Sequence, residues 1–452
     1  MNKRDFLKVT AGLGATLGSL APVAQAAEPK STDTAPAQPQ GGEAGVPQSY
    51  IDADTGHRVV RLSSKPHSSA LYFNFPAFSP DGRWMVFNRD DGISLTDFND
   101  LSEKNLHTGP LEAFGVSQAQ PLVYARKRGE SHGAEKQTPS EYFTIHMLTG
   151  EVKSVAKLER GSVGSVSADD TLMVGTYAYR DVPLQPGPKI PGTDGGYNAN
   201  WPDGTPMTFA DAKIYRMAQR LKAGVPMEVF TLNVATGERK VLVASDDWLN
   251  HVQFSPTDPG LILYCHEGPW NLVDRMWTIR TDGTQNQLVH KREMNDEVAG
   301  HEFFSASGDQ ILYDLQTPQG EVFWLASYNL KTGERLRYHV ERNLWSVHYN
   351  ISTDGKWFAG DGGDSEMVAH ATDGKWIYLY TPVMISDPVV NTPDDPAMIK
   401  PGVLRGERLV NMKNHDYRVE PNLRFSTDGK WIIFKSNQFG PSHTFAVEVK
   451  KA

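Results

Sequence analysis

Three histidines and an asparagine stand at one repeated offset in this chain. His251, His301, His348 and Asn422 each lie three residues before the apolar residue that opens a short Ser-containing turn, namely Phe254, Phe304, Ile351 and Phe425. Imidazole has an ordinary pKa close to neutrality, so it can accept a proton, donate one or bind a cation. A lone histidine is most often a hydrogen-bonded structural residue. Four imidazole or amide groups at one offset favour a shared site, because equivalent positions in a repeat are equivalent positions in space. A further histidine, His266, opens the polar run His266-Glu267-Gly268-Pro269-Trp270 that follows the apolar stretch Leu261-Ile262-Leu263-Tyr264-Cys265.

The elements that position these groups follow from the repeat itself. An alternating run, an apolar residue followed by Ser, a turn often made of Asp-Gly, and a second β-rich run recur along the chain. Clear copies begin at Phe78 (FSPDGRWMVF), Phe254, Phe304, Ile351 (ISTDGKWFAG) and Phe425 (FSTDGKWIIF); weaker ones begin at Val116 and Val166. Asp-Gly between two apolar runs signals a hairpin. A lone hairpin cannot bury its faces, whereas seven small sheets packed radially can. The expected fold is therefore all-β, a seven-bladed β-propeller over residues 48–452, with a helical insertion at about 181–224. In a propeller the first strand of each blade lines the central channel. His251, His301, His348 and Asn422 should then share one height around the axis, with Phe75, Ala113 and Val163 at the other three positions. The loops leaving the second strands, including Gly360-Asp361-Gly362 and Ser436-Asn437-Gln438, should meet this ring at one open face, forming a binding cleft.

The insertion starts Pro/Gly-rich and then turns helical. Thr208 to Asp211 forms a capping box, and Gly224 is the expected stop. Ile214, Met217 and Leu221 share one face; Lys213, Arg216 and Arg220 share another. That basic face is either plain solvated surface or a lid over an acidic ligand.

Bulk properties narrow the remainder. Lys3 and Arg4, an apolar stretch to Val23 and Ala24-Gln25-Ala26 read as an export signal over 1–26, close to a twin-arginine signal with Lys in the first position. Residues 27–47 read as a flexible linker, and the expected location is periplasmic or secreted. The chain carries a formal charge of −9; losing residues 1–26 would make it more acidic, which disfavours nucleic acid as a partner. No other stretch is long enough for a membrane span. One cysteine, Cys265, excludes an intrachain disulfide and a cysteine-rich metal site.

The segments Tyr264-Cys265-His266-Glu267-Gly268-Pro269, Leu272 to Trp277, His301-Glu302-Phe303, Ser346-Val347-His348 and Gly360-Asp361-Gly362 resemble the oligogalacturonate lyases. The resemblance implies a seven-bladed propeller, an acidic oligosaccharide substrate, and a divalent cation, typically manganese, held by three His and one Gln. It makes His301 a metal ligand and His266 the catalytic base. Glu420 and Asn422 fall on two of the family's histidine positions and Tyr417 falls on the glutamine, a poor replacement; nearby His415 could compensate. Oxygen donors in place of nitrogen would admit Mg²⁺ or Ca²⁺ beside Mn²⁺. The implied reaction is β-elimination at a 4-linked hexuronate, with His266 removing the C5 proton. His251, His348, Asp361, Arg220 and Arg275 are expected to bind substrate, the arginines because their planar forks match carboxylates. The rival class is a non-catalytic binding propeller of the periplasmic translocation type, since fold alone does not give function.

Overall fold

The structure is a computed structural model. It describes residues 45–128, 139–180, 187, 188, 190, 191, 193, 198–365, 370–386, 395 and 397–451. The export-signal reading and most of the linker reading, together with most of the Pro/Gly-rich part of the insertion, fall outside those residues.

The seven turn motifs become the inner hairpins of seven blades. In chain order, blades 1 to 6 occupy residues 69–108, 111–158, 162–245, 248–288, 298–340 and 349–411, each with four antiparallel strands. Blade 7 is built from Arg424–Phe425, Trp431–Ser436 and His443–Glu448, and the N-terminal strands Arg58–Arg61 and Ser49–Ile51 complete it. Pairing the start of the domain with its end, through Arg58–Arg61 on the outer side of His443–Glu448, closes the ring.

Local chemistry explains why the Ser-turn recurs. In blade 7, Ser426 Oγ donates to Asp428 (2.7 Å) and accepts from the Trp431 backbone N–H (3.0 Å). Ser352 repeats this with Asp354 and Trp357, and Ser167 with Asp169 and Leu172. Each serine thus satisfies its own turn in the absence of other partners. Glycine is required at Gly82, where φ is +71° and a Cβ would lie 2.4 Å from Thr427 Oγ1 of blade 7. Blade-to-blade packing is dry: Val174, Met227, Ile262 and Tyr264 lie in the core cluster between blades 3 and 4, and Leu263, Ala299, Ile311 and Leu315 in that between blades 4 and 5.

Two intervals between motifs exceed a blade, for different reasons. In blade 3 the excess holds helix α1 (Phe209–Ala223), inserted between the second strand, Leu172–Ala178, and the third, Met227–Asn233. Thr208 and Asp211 form the reciprocal capping box, and Gly224 ends the helix in the left-handed conformation. In blade 6 the excess lengthens the outer hairpin Trp376–Met384/Lys400–Asn411, whose second strand pairs in parallel with Arg335–Val340 of blade 5. That strand joins two blades into one eight-stranded sheet.

Candidate active site

The repeated offset coincides with a repeated backbone irregularity. The inner-strand pairing slips between Asn250 and Gln253 in blade 4 and between Gly300 and Phe303 in blade 5. His251 (φ +48°), His301 (φ +46°) and Asn422 (φ +51°) all adopt the left-handed conformation. Among non-glycine residues, His and Asn tolerate that region best, and such strain gathers at functional sites. A bulge re-aims its side chain. His348 reaches the same neighbourhood without this strain, just ahead of its strand Tyr349–Ile351.

The imidazoles gather around a segment the repeat does not foretell. The inner strand of blade 1 is only Ser69–Ala70, and the chain from Leu71 onward crosses the channel as a plug. Arg424, buried, donates to the carbonyls of Leu71, Tyr72 and Phe75 at 2.5–2.6 Å and so pins the plug in place. The side chain of Tyr72 packs edge-on to His348 (ring centroids 5.5 Å) and lies 6.4 Å from the ring of His251; His301 and His348 are 4.8 Å apart. Above the plug opens a cleft lined by Tyr72, His251, Trp270, Arg275, His301, Asp314 and Glu420 and by one face of α1.

Two of the histidines are oriented by carboxylates. His301 Nδ1 lies 2.8 Å from Asp314 Oδ1. His348 Nδ1 lies 2.7 Å from Asp361 Oδ2, and Asp361 Oδ1 accepts from the His348 backbone N–H at 2.8 Å. In both pairs the aspartate follows its histidine by 13 residues. Proton donation through Nδ1 leaves Nε2 as the acceptor, which is how metal-binding or base histidines are commonly set; in this structure the Tyr72 hydroxyl lies 3.4 Å from His348 Nε2. His348 Nε2 is 3.8 Å from Glu420 Oε2. Burial opposes protonation of His348, but Asp361 and then Glu420 outweigh it and raise its pKa.

On the blade 4 side, Arg275 is buried between two glutamates. Its Nε donates to Glu302 Oε2 at 2.9 Å, and Nη1 lies 3.6 Å from Glu267 Oε1. Burial acts to raise the Glu267 pKa, yet Arg275 and His251 hold it down at about 2. His251 stands 4.0 Å from Glu267, with its side chain 27% exposed. Burial, then Arg275, lowers its pKa from the ordinary imidazole value, which favours the neutral, proton-accepting form.

The structure places the remaining sequence candidates elsewhere or in other roles. His266 does not line the cleft: its Nδ1 pairs with Asp247 (2.8 Å) and its ring lies beside Tyr264 and Trp277. Side chains alternate along a strand, and Glu267, not His266, takes the Arg275 side. His415 is no ligand either. Its Nε2 donates to the Val419 carbonyl (2.7 Å), its Nδ1 accepts from the Asn437 N–H (3.2 Å), and burial lowers its pKa to about 4. Arg220 is buried with its guanidinium 4.3 Å from the Trp248 ring centroid, so it is unavailable to a ligand in the cleft. Asp361, expected to touch substrate, is fully buried beneath His348. Tyr417, also buried, donates to the Asp361 carbonyl at 2.9 Å.

A comparison with known families decides whose site this is. The sequence model described as oligogalacturonate lyase matches residues 209–451, more than half of the chain.

The chain belongs to the oligogalacturonate lyase family.

Two relatives agree. An oligogalacturonide lyase of Pectobacterium atrosepticum is 26% identical over 229 residues, and an oligogalacturonate lyase of Dickeya dadantii is 27% identical over 223 residues. Each alignment covers 48% of this chain and 54% of the relative, so the chain spans about half the length of the curated relatives it matches. Two solved structures share the fold. An oligogalacturonate lyase in complex with manganese superposes with a TM-score of 0.67 at 21% identity, and one from Vibrio parahaemolyticus with 0.64 at 18%. Each covers 89% of this chain and 96% of its own. The family match begins at α1 and contains every candidate site residue from His251 onward, while Tyr72 comes from outside it.

Proposed function

We propose that this chain is a lyase that cleaves oligogalacturonides, or related 4-linked hexuronate oligosaccharides, by β-elimination in the cleft above the plug. One observation carries the reading. Two imidazoles, each with Nδ1 committed to an aspartate, stand ring to ring beside Glu420, with His301 and Glu420 lining the cleft and His348 buried next to them.

The residues present fit a divalent cation, the cofactor the family resemblance implies. As they stand, no three His, Cys, Asp or Glu side chains among the described residues converge on one point. The donor chemistry is nevertheless suitable. His301 Nε2, His348 Nε2 and Glu420 would hold the ion, and Asn422 Oδ1, buried with no hydrogen-bond partner among the described residues, offers a fourth donor. The 3.8 Å between His348 Nε2 and Glu420 Oε2 is within the span of two ligands each about 2.0–2.2 Å from one ion. Two nitrogens and two oxygens suit Mn²⁺, the ion of the solved relative, better than Ca²⁺ or Mg²⁺, which prefer oxygen alone. When bound, the cation would neutralise the uronate carboxylate and the negative charge that builds on it as C5 is deprotonated.

The chain's own groups supply the rest. Favoured in its neutral form and open to the cleft, His251 accepts the C5 proton; this role passes to it from His266, which faces away. Glu267 lies beside the His251 ring and stabilises the imidazolium once formed. Arg275 keeps Glu267 ionised and is itself held by Glu302. Asp314 and Asp361 fix the tautomers of His301 and His348.

The experiment is direct. The protein, stripped with chelator and reloaded with Mn²⁺, is mixed with a panel of uronate oligosaccharides while the ultraviolet absorbance of a new C4–C5 double bond is followed. Rising absorbance with oligogalacturonide only after metal reloading supports the reading. Sugar binding with no absorbance change on any uronate overturns it in favour of a binding propeller.

A further inference from the structure

We infer that Lys213, on the helix walling the cleft, is the specificity-determining cation for a second uronate carboxylate, on a sugar adjoining the one that is deprotonated. The inference rests on the lyase reading of the site and adds to it a preference for substrates with at least two free carboxylates.

The stripe of α1 that meets the cleft is Ala210, Lys213, Ile214 and Met217, spaced i, i+3, i+4 and i+7 as one helix face must be. The sequence pattern alone sorts Lys213 with Arg216 and Arg220. The structure separates them: both arginines turn to Trp248, with guanidinium carbons 5.1 and 4.3 Å from its ring centroid. That stacking and the two caps anchor the helix, so Lys213 projects from a fixed element.

Charge completes the argument. Four cations lie in or beside the cleft, and three are already engaged. Arg275 serves Glu302 and Glu267, and Arg216 and Arg220 serve Trp248. Lys213, half-buried, makes no ion pair or hydrogen bond among the described residues. It is still close enough to favour the ionised form of Glu267 and to disfavour protonation of His348. Asp314 and Glu420 also line the cleft and would repel an anion. An acidic ligand reaching past the histidines therefore meets Lys213 as its uncommitted positive partner. Trp270, which lines the cleft with Lys213, offers a flat apolar face for an adjoining sugar ring.

The test is steady-state kinetics of the metal-loaded protein on trigalacturonate and on a counterpart methyl-esterified at every carboxylate except that of the sugar deprotonated, with Lys213→Met, Lys213→Arg and Lys222→Met. Lys222 is exposed on the same helix, outside the cleft, and controls for loss of one charge. Losing a charge-assisted contact should raise KM for trigalacturonate about tenfold or more in Lys213→Met, with kcat near wild type. Lys213→Arg should recover most of that, Lys222→Met should match wild type, and the methyl ester should not distinguish Lys213→Met from wild type. A wild-type KM in Lys213→Met, or an equal rise in Lys222→Met, overturns the inference. If wild-type protein turns over no uronate, the lyase reading fails instead. Calorimetric binding of trigalacturonate to wild type and Lys213→Met then decides the role of Lys213: tenfold weaker binding supports it, and equal binding refutes it.

Discussion

Replacing Asp361 by Asn should separate the metal-holding geometry from the fold. Asp361 makes two hydrogen bonds to His348, at 2.8 and 2.7 Å, and neither residue has exposed surface. No water can stand in for a lost partner. The amide keeps one oxygen for the His348 N–H, but its NH₂ then faces Nδ1. Nδ1 must become the acceptor, the ring proton moves to Nε2, and the lone pair beside Glu420 is lost. Restoring it costs a charge-assisted hydrogen bond, about 1.5–3 kcal/mol, which agrees with the 10–100-fold loss of affinity typical of such second-layer changes. Calorimetric titration of chelator-stripped protein with Mn²⁺ should show that weakening. Thermal unfolding of the same preparation shows whether the variant is folded. Asp247→Asn, which perturbs only the His266 pair, should leave Mn²⁺ affinity at the wild-type value. A well-folded Asp361→Asn with unchanged affinity would refute the assignment of His348 as a ligand.

Four further outcomes are expected. His251→Ala should lower turnover by roughly 10² to 10⁴ while retaining metal, whereas His266→Ala should turn over normally once folded; the reverse pattern would return the base to His266. Because His251 must be neutral to accept a proton and its pKa is lowered, the acid limb of kcat/KM should lie below pH 6.5, with activity falling as pH falls through it. His415 has a folded-state pKa of about 4 against about 6.5 unfolded. The unfolded chain binds the extra proton between those values, so stability is full above the upper one and declines by about 3 kcal/mol as pH falls to the lower; His415→Gln should flatten that dependence in urea titrations. Arg424→Met leaves the Leu71 and Phe75 carbonyls without a donor and the Tyr72 carbonyl with the Phe75 N–H alone; each orphaned carbonyl costs about 1–3 kcal/mol, and the unfolding midpoint should fall accordingly.

What the sequence made legible was local. Each Ser-turn is closed by its own serine, and at Ser79, Ser167, Ser352 and Ser426 by the aspartate two residues on as well, so the motif reports a hairpin wherever it occurs, and seven motifs report seven blades. The shared offset of His251, His301 and Asn422 was readable because one left-handed backbone position recurs there, with a bulge at His251 and His301. Parity was harder to read. His266 and Glu267 are neighbours at a strand exit, but alternation sends one toward Asp247 and the other toward Arg275, and the loop composition does not say which. The partners of His415 are backbone groups, which carry no residue signal. Tyr72 enters from blade 1, where the equivalent position is Phe75 and the plug has no counterpart in the other blades. A signal for Asp314 was present and unused: it and Asp361 both follow their histidines by 13 residues, the span of one inner hairpin.

The account stands or falls on whether His301, His348 and Glu420 form one site. Crystals of the protein grown or soaked with Mn²⁺, measured at a wavelength where manganese scatters anomalously, test this most directly. The account predicts a single anomalous peak at the cleft floor, bonded to His301 Nε2, His348 Nε2 and the Glu420 carboxylate. A peak coordinated by other residues, or none at these side chains with manganese in excess, would contradict it.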